Sequence, residues 1–143
     1  MIRFIGITGH MDAGMLQKCI DMYEFDTLLT TLNATPRRKP FREELLPHAL
    51  QKNMGVIAMK VMGGGYGALV TGNPLKKVIQ PYQDMTDNQV EFHKLIRYTM
   101  SLPCTCAVMG VANQDQLRAN VAIVKAQNYM TAAERTELEK VLV

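Results

Sequence analysis

Gly55-Val56-Ile57-Ala58-Met59-Lys60-Val61-Met62-Gly63-Gly64-Gly65 reads as a buried strand that runs straight into a glycine-rich loop. An apolar run closed by three glycines lets backbone come close to a ligand at the strand's carboxyl end. In parallel α/β proteins that end is where ligands sit. Three consecutive glycines alone are a weak motif, and their context strengthens them. Three more strand-like segments, Arg3–Gly9, Phe25–Asn33 and Thr105–Gly110, each run into a polar or glycine-containing turn and then a helical pattern.

The intervening segments have helical spacing. Asp12 can cap a helix with apolar residues at Met15, Leu16, Cys19 and Ile20. After the second strand a loop, 34–40, holds Arg37, Arg38 and Lys39. The next helix carries Phe41, Leu45, Leu46, Ala49 and Leu50, with Pro47 inside the pattern, so it either kinks there or begins near it. A long proline-containing connection, roughly Tyr66–Asp87, follows the glycines; loops of that length are usually functional or mobile. A helix from about Asn88 to Ser101 turns Phe92, Leu95 and Ile96 inward. After the fourth strand comes a helix with Leu117, Val121 and Val124 on one face. Thr131-Ala132-Ala133-Glu134 is a capping box that opens a last helix through Leu138, Val141 and Leu142. The order is β-α four times plus one extra terminal helix, which implies a parallel sheet with right-handed crossovers. No boundary or low-complexity segment interrupts it, so residues 1–143 are expected to be one domain.

Composition excludes several functions. The chain has 143 residues, 48% hydrophobic and 20% charged, the balance of a globular protein rather than a disordered one. A net charge of +3 is too mild and too dispersed for a nucleic-acid or anionic-membrane partner. No apolar run approaches the ~18 residues a membrane span needs. The first residues lack the pattern of a signal peptide. Three cysteines, Cys19, Cys104 and Cys106, do not make a disulfide framework, and a reducing cytoplasmic location is expected. Cys104-Thr105-Cys106 has no nearby ligand to complete a metal set and reads as small buried hydrophobes. His48 and His93 fall on helices as surface or boundary residues, whereas His10 follows a strand's carboxyl end. Lys60 sits in an apolar strand and needs a partner.

Read in this order, the segments resemble the C-terminal half of the aldo-keto reductases. The residues that carry the resemblance are 2–10 (Ile-Arg-Phe-Ile-Gly-Ile-Thr-Gly-His), 25–33 (Phe-Asp-Thr-Leu-Leu-Thr-Thr-Leu-Asn) and the strand to Gly65. Residues 104–110 (Cys-Thr-Cys-Ala-Val-Met-Gly) and 116–120 (Gln-Leu-Arg-Ala-Asn) complete the set. The resemblance implies an α/β fold: a (βα)4 half of a TIM-type (β/α)8 barrel, strands five to eight, with an extra C-terminal helix. It also implies NADPH as cofactor, with NADH as the alternative, and a small carbonyl or alcohol as substrate.

Carried over residue by residue, Thr8, Gly9 and His10 lie where the family's fifth strand meets the nicotinamide amide, with Thr-Gly in place of the usual Ser-Asn. Leu29 lies near a position where many members have Gln. Met59 falls where a stacking aromatic is common. Lys60, Gly63, Gly64 and Gly65 fall along the pyrophosphate. Gly110, Val111 and Gln116 occupy positions that often hold Lys, Ser and Arg for the 2′-phosphate, which Arg118 or the Arg37–Lys39 loop would have to replace. Asn120 matches an adenine-contacting Asn, and Ala119 replaces the usual Glu. The family's catalytic Asp, Tyr, Lys and His belong to the absent half. The resemblance therefore implies a cofactor-binding half with no catalytic residue of its own. It would be completed by a missing N-terminal half or by self-association. The alternatives are a non-catalytic nucleotide-binding or assembly module and an inactive truncated fragment.

Overall fold

The computed structural model describes residues 1–62, 92–111 and 113–142. Four parallel strands form one sheet in the order β1-β2-β3-β4. They are β1 (Gly6–Gly9), β2 (Thr27–Thr31), β3 (Gly55–Met59) and β4 (Cys106–Ala107). Gly6 pairs with Thr27, Thr27 with Gly55, and Ile57 with Cys106. Spatial order follows chain order with no reversal, as in a barrel wall rather than a doubly wound sheet. Every strand is shorter than its sequence run. In β1, an edge strand with one neighbour, residues 1–5 stay exposed and only Ile5 is tied down, its N–H donating to the Asp26 carboxylate at 2.8 Å.

The helices among the described residues are α1 (Ala13–Met22), α2 (Leu46–Gln51), α3 (Phe92–Met100), α4 (Gln114–Lys125) and α5 (Ala132–Val141). The caps of α1 and α5 are those the sequence implies. The Asp12 carboxylate accepts the Met15 N–H at 2.9 Å. Thr131 and Glu134 form the reciprocal capping box of α5. Pro47 explains the widened π turn Phe41–Leu45 that precedes α2. Its ring has no N–H to give and crowds the carbonyl four residues back, so the chain bonds one residue further, Leu46 N–H to Phe41 O.

Two cores result. The larger lies between one face of the sheet (Leu28, Val56, Ala58) and α1, the π turn and α2, through Leu16, Ile20, Phe41, Leu45, Leu46 and Ala49. The smaller joins α3 to α5 through Leu95, Tyr98 and Leu138, with Ala34 and Met130. The opposite face of the sheet carries Thr8 and Cys106, both exposed, and the half-buried Leu29, Ile57 and Met59. Two glycines are dictated by close approach. A Cβ on Gly6 would lie 2.3 Å from Thr27 Oγ1, and one on Gly9 would lie 2.9 Å from Leu16 Cδ2.

Several side chains depart from the sequence reading. Met15 is exposed; the ten-residue α1 buries only Ala13, Leu16 and Ile20. Leu117 and Val121 are also exposed. The inward stripe of α4 runs through Gln116, Ala119, Asn120, Ile123 and Val124. That stripe is polar at its start and middle, so apolar periodicity selected its neighbour. Val141 is exposed, since α5 docks through Leu138. Cys104 packs at the edge of the larger core, but Cys106 is exposed on the open face and is not a buried hydrophobe. Lys60 does not continue β3. It follows the strand with φ 55°, a left-handed conformation that costs a non-glycine residue roughly 1–2 kcal/mol.

Candidate functional site

The carboxyl ends of β1, β2 and β3 bring together His10, the segment 31–38 and Lys60. Asn33, fully buried, organises them. Its Nδ2 donates to the Lys60 carbonyl at 2.9 Å and to Thr31 Oγ1 at 3.2 Å. Its Oδ1 accepts from the Thr35 N–H and hydroxyl at 3.1 and 2.7 Å. One amide side chain thus fixes the turn after β2 against the end of β3.

Arg42 holds the same turn from beneath. Its side chain is 5% exposed, and Nη1 donates to the carbonyls of Asn33 and Thr35, each at 2.8 Å. Its Nη2 pairs with Glu139 Oε1 at 3.3 Å. Tyr98 donates its hydroxyl proton to the same Glu139 oxygen. Burial, with that carboxylate beside it, holds the Tyr98 phenol well above its usual range, so Tyr98 stays neutral. Sequence reasoning missed this network. An arginine inside the apolar helical repeat at 41–50 is the signal that could have found it.

Each expected site residue has a definite place. Thr8 is exposed on the open face, and its hydroxyl donates to the Leu29 carbonyl at 3.1 Å. Gly9 faces α1, where a Cβ would press on the Leu16 side chain. Its carbonyl accepts from Thr30 Oγ1 at 2.8 Å. His10 gives its carbonyl to Arg38 Nη1 at 2.5 Å. Its Nδ1 is buried and has no hydrogen-bond partner among the described residues. Met59 is half-buried and ends β3. Gln116 lies in the first turn of α4, its N–H donating to the Asn113 cap at 2.9 Å. Asn120 is buried on the inward stripe of the same helix. The strand ends thus gather Thr8, Gly9, His10, Met59 and Lys60, while Gln116 and Asn120 stand on α4. Gly63, Gly64 and Gly65 lie outside the described residues, as does the long connection 66–87.

Lys60 and Arg38 give this end its electrostatics. Burial lowers the Lys60 amine's affinity for a proton, and the charge of Arg38 lowers it further. Arg38 is itself perturbed downward by burial and by Arg37. An open cleft at the opposite, amino end of the sheet is lined by Asp21, Tyr23, Phe25, Lys52 and Met54, among others. There Asp21 accepts from Lys52 and His48 at 3.1 and 3.0 Å; those bonds, led by Lys52, hold its carboxyl below the usual range. These charges are mutually satisfied, and the amino end of such a sheet is where stability rather than chemistry resides. No cluster of metal-ligating side chains occurs among the described residues. No helix among them is long and apolar enough to cross a membrane.

No protein-family model matches the sequence, and no match was found among curated proteins. The chain is similar to the solved aldo-keto reductase AKR11C1 from Bacillus halodurans, in its apo form. The TM-score is 0.65 at 18% identity, over 97% of this chain and 50% of that one. It is also similar to a thermostable aldo-keto reductase, Tm1743, in complex with the inhibitor epalrestat. There the TM-score is 0.63 at 15% identity, over 97% of this chain and 48% of that one. The chain spans about half the length of the solved structures it matches. The likeness shows the fold: a parallel four-stranded α/β sheet that matches half of an aldo-keto reductase barrel.

Proposed function

We propose that this chain is the nicotinamide-dinucleotide-binding half of an aldo-keto reductase-type barrel, a single cytoplasmic domain that turns over no substrate by itself. The observation that carries the reading is the half-barrel likeness, over 97% of this chain and about half of each matched structure. The residues at the strand ends fit the cofactor in part. Lys60 and Arg38 supply positive charge where a pyrophosphate would run, and the unpartnered His10 Nδ1 offers a polar contact. The open-face Thr8 hydroxyl and the Met59 thioether line the approach to the nicotinamide. The bound cofactor, NADPH or NADH, would supply the hydride for a small carbonyl.

Carbonyl reduction also needs a proton donor beside the developing alkoxide. Tyr98 is buried and committed to Glu139, while Tyr23 follows α1 at the amino end. Neither fits that role, and the reading assigns it to a complementary half, either a separate N-terminal half or a second copy. The alternative, a binding or assembly module without chemistry, is favoured by Gly9: its place is filled by Leu16, which removes one expected amide contact.

Fluorescence titration with NADPH, followed by an absorbance assay with simple aldehydes, tests the reading. Weak saturable binding without turnover, with activity on adding a complementary half, is the expected result. Robust reduction by the purified chain alone would overturn it.

A further inference from the structure

The sheet is well covered on one side only. α1, the π turn and α2 pack on one face. On the other, one register row, Thr8–Leu29–Ile57–Cys106, crosses all four strands exposed or half-buried among the described residues. Parallel sheets occur with both faces covered. No residue of any strand is charged, so this face suits a dry interior better than water. The bare apolar surface is unevenly placed as well. Large apolar side chains stand exposed at the two ends of the wall: Phe4, Met11 and Met15 around β1, and Val108, Leu117 and Val121 around β4. In the inner stretches 24–62 and 92–100 only Leu50 does so.

One chain thus carries both sides of a seam, an open edge with apolar neighbours at β1 and another at β4. A two-fold axis along the strands joins β1 of each copy to β4 of the other. All strands stay parallel, every edge is paired and the assembly closes. Four strands from each copy make an eight-stranded barrel, whose interior side chains alone can fill. A two-fold axis across the strands would pair β1 with β1 antiparallel and leave both β4 edges bare. The register of the seam follows from the barrel's shear. A row of strand partners followed once around such a barrel returns roughly eight residues lower, so each of two equal seams takes up roughly four. The row from Thr8 to Cys106 then meets Phe4 of the next copy, which alternation places on the same face as Thr8. Residues 4–8 come to lie along 106–110. The flanks 3–5 and 108–110, strand-like in sequence but outside β1 and β4, gain a partner there.

We propose that the chain forms a two-fold dimer in which β1 of each copy pairs in parallel with β4 of the other, Phe4 opposite Cys106. The partner is a second copy rather than a separate N-terminal half. The proposal rests on the half-barrel part of the reading above and is independent of the nucleotide.

The test combines sedimentation equilibrium of the full chain at micromolar concentration with disulfide trapping. A closed dimer, without larger species, is expected. Val108→Glu puts a charge on the seam at a position already exposed in the single chain, so the fold should persist by circular dichroism while dimerisation weakens about tenfold or more. Leu50→Glu, in the inner stretch, should leave it unchanged. With diamide as oxidant, Phe4→Cys should give a covalent dimer on a non-reducing gel through the native Cys106 thiol. Within one chain that bond cannot form, because β1 and β4 are three strand spacings apart, roughly 14 Å. Adding Cys106→Ser should abolish the covalent dimer, and Ile5→Cys, turned to the other face, should give little. A monomer, a dimer indifferent to folded Val108→Glu, or a covalent dimer that survives Cys106→Ser would each overturn the proposal. A dimer that binds no NADPH keeps the closure and sinks the dinucleotide reading, whereas a monomer that binds NADPH does the reverse.

Discussion

Replacing Arg42 by Met is expected to destabilise the chain more than any exposed substitution. Methionine keeps most of the stem's apolar volume and removes the guanidinium. Two carbonyls, those of Asn33 and Thr35, lose their 2.8 Å donors. Each would cost about 1–3 kcal/mol if it stays dry. Glu139 loses its cation but is one-third exposed and can rehydrate, so its share is small. The two carbonyls together cost about 2–6 kcal/mol. At a urea dependence of roughly 2 kcal/mol per molar, the unfolding midpoint should fall by about 1–3 M. Glu139→Gln still accepts from Tyr98 and should cost less than half as much. Because Asn33 links the same turn to the Lys60 carbonyl, Arg42→Met should also weaken whatever binds at Lys60. A loss under about 1 kcal/mol for Arg42→Met, with the midpoint barely moved, would refute the view that this arginine holds the turn.

Three further outcomes are expected. Lys60→Met should be as stable as wild type or more so at neutral pH. The folded lysine's pKa is lowered by burial, so the folded state binds fewer protons than the unfolded one; wild-type stability should therefore rise between the depressed value and 10.5, closing the gap to Met, as pH-dependent urea melts would show. Gln127 follows α4 with φ 49°, so Gln127→Gly should stabilise by about 1 kcal/mol in the same assay, and a loss would mean that its side chain contributes. Among the described residues the sheet ends in two unpaired edges, β1 and β4, with the open face between them, so sedimentation at micromolar concentration should show self-association; a compact stable monomer would count against it.

What could be read from the sequence was local. Asp12 and Thr131 announce helix starts because a cap and its target lie three residues apart. The β-α alternation follows from runs of apolar residues between polar turns. Pro47 marked a helix irregularity because its ring has a fixed consequence for the carbonyl four residues back. What could not be read depends on distant partners. Arg42 meets Glu139, about two thirds of the chain away, and Arg38 meets the carbonyl of His10. Cys106 alternates apolar-looking neighbours like any strand residue, and only the open face of the sheet exposes it. Leu117 and Val121 formed the more apolar stripe of α4, but the helix turns its mixed stripe inward.

The unbroken strand order also bears on how the molecule is assembled in time. Thr30 reaches Gly9 across 21 residues, whereas Val56 reaches Thr105 across 49. Closing the longer loop costs about 0.7 kcal/mol more in chain entropy. The buried side chains of the larger core all fall between Ala13 and Ala58. During synthesis that core can therefore close before β4 has been made. The two-residue β4 then docks onto a finished three-stranded edge, making it the last strand to arrive and the first to exchange its amide protons.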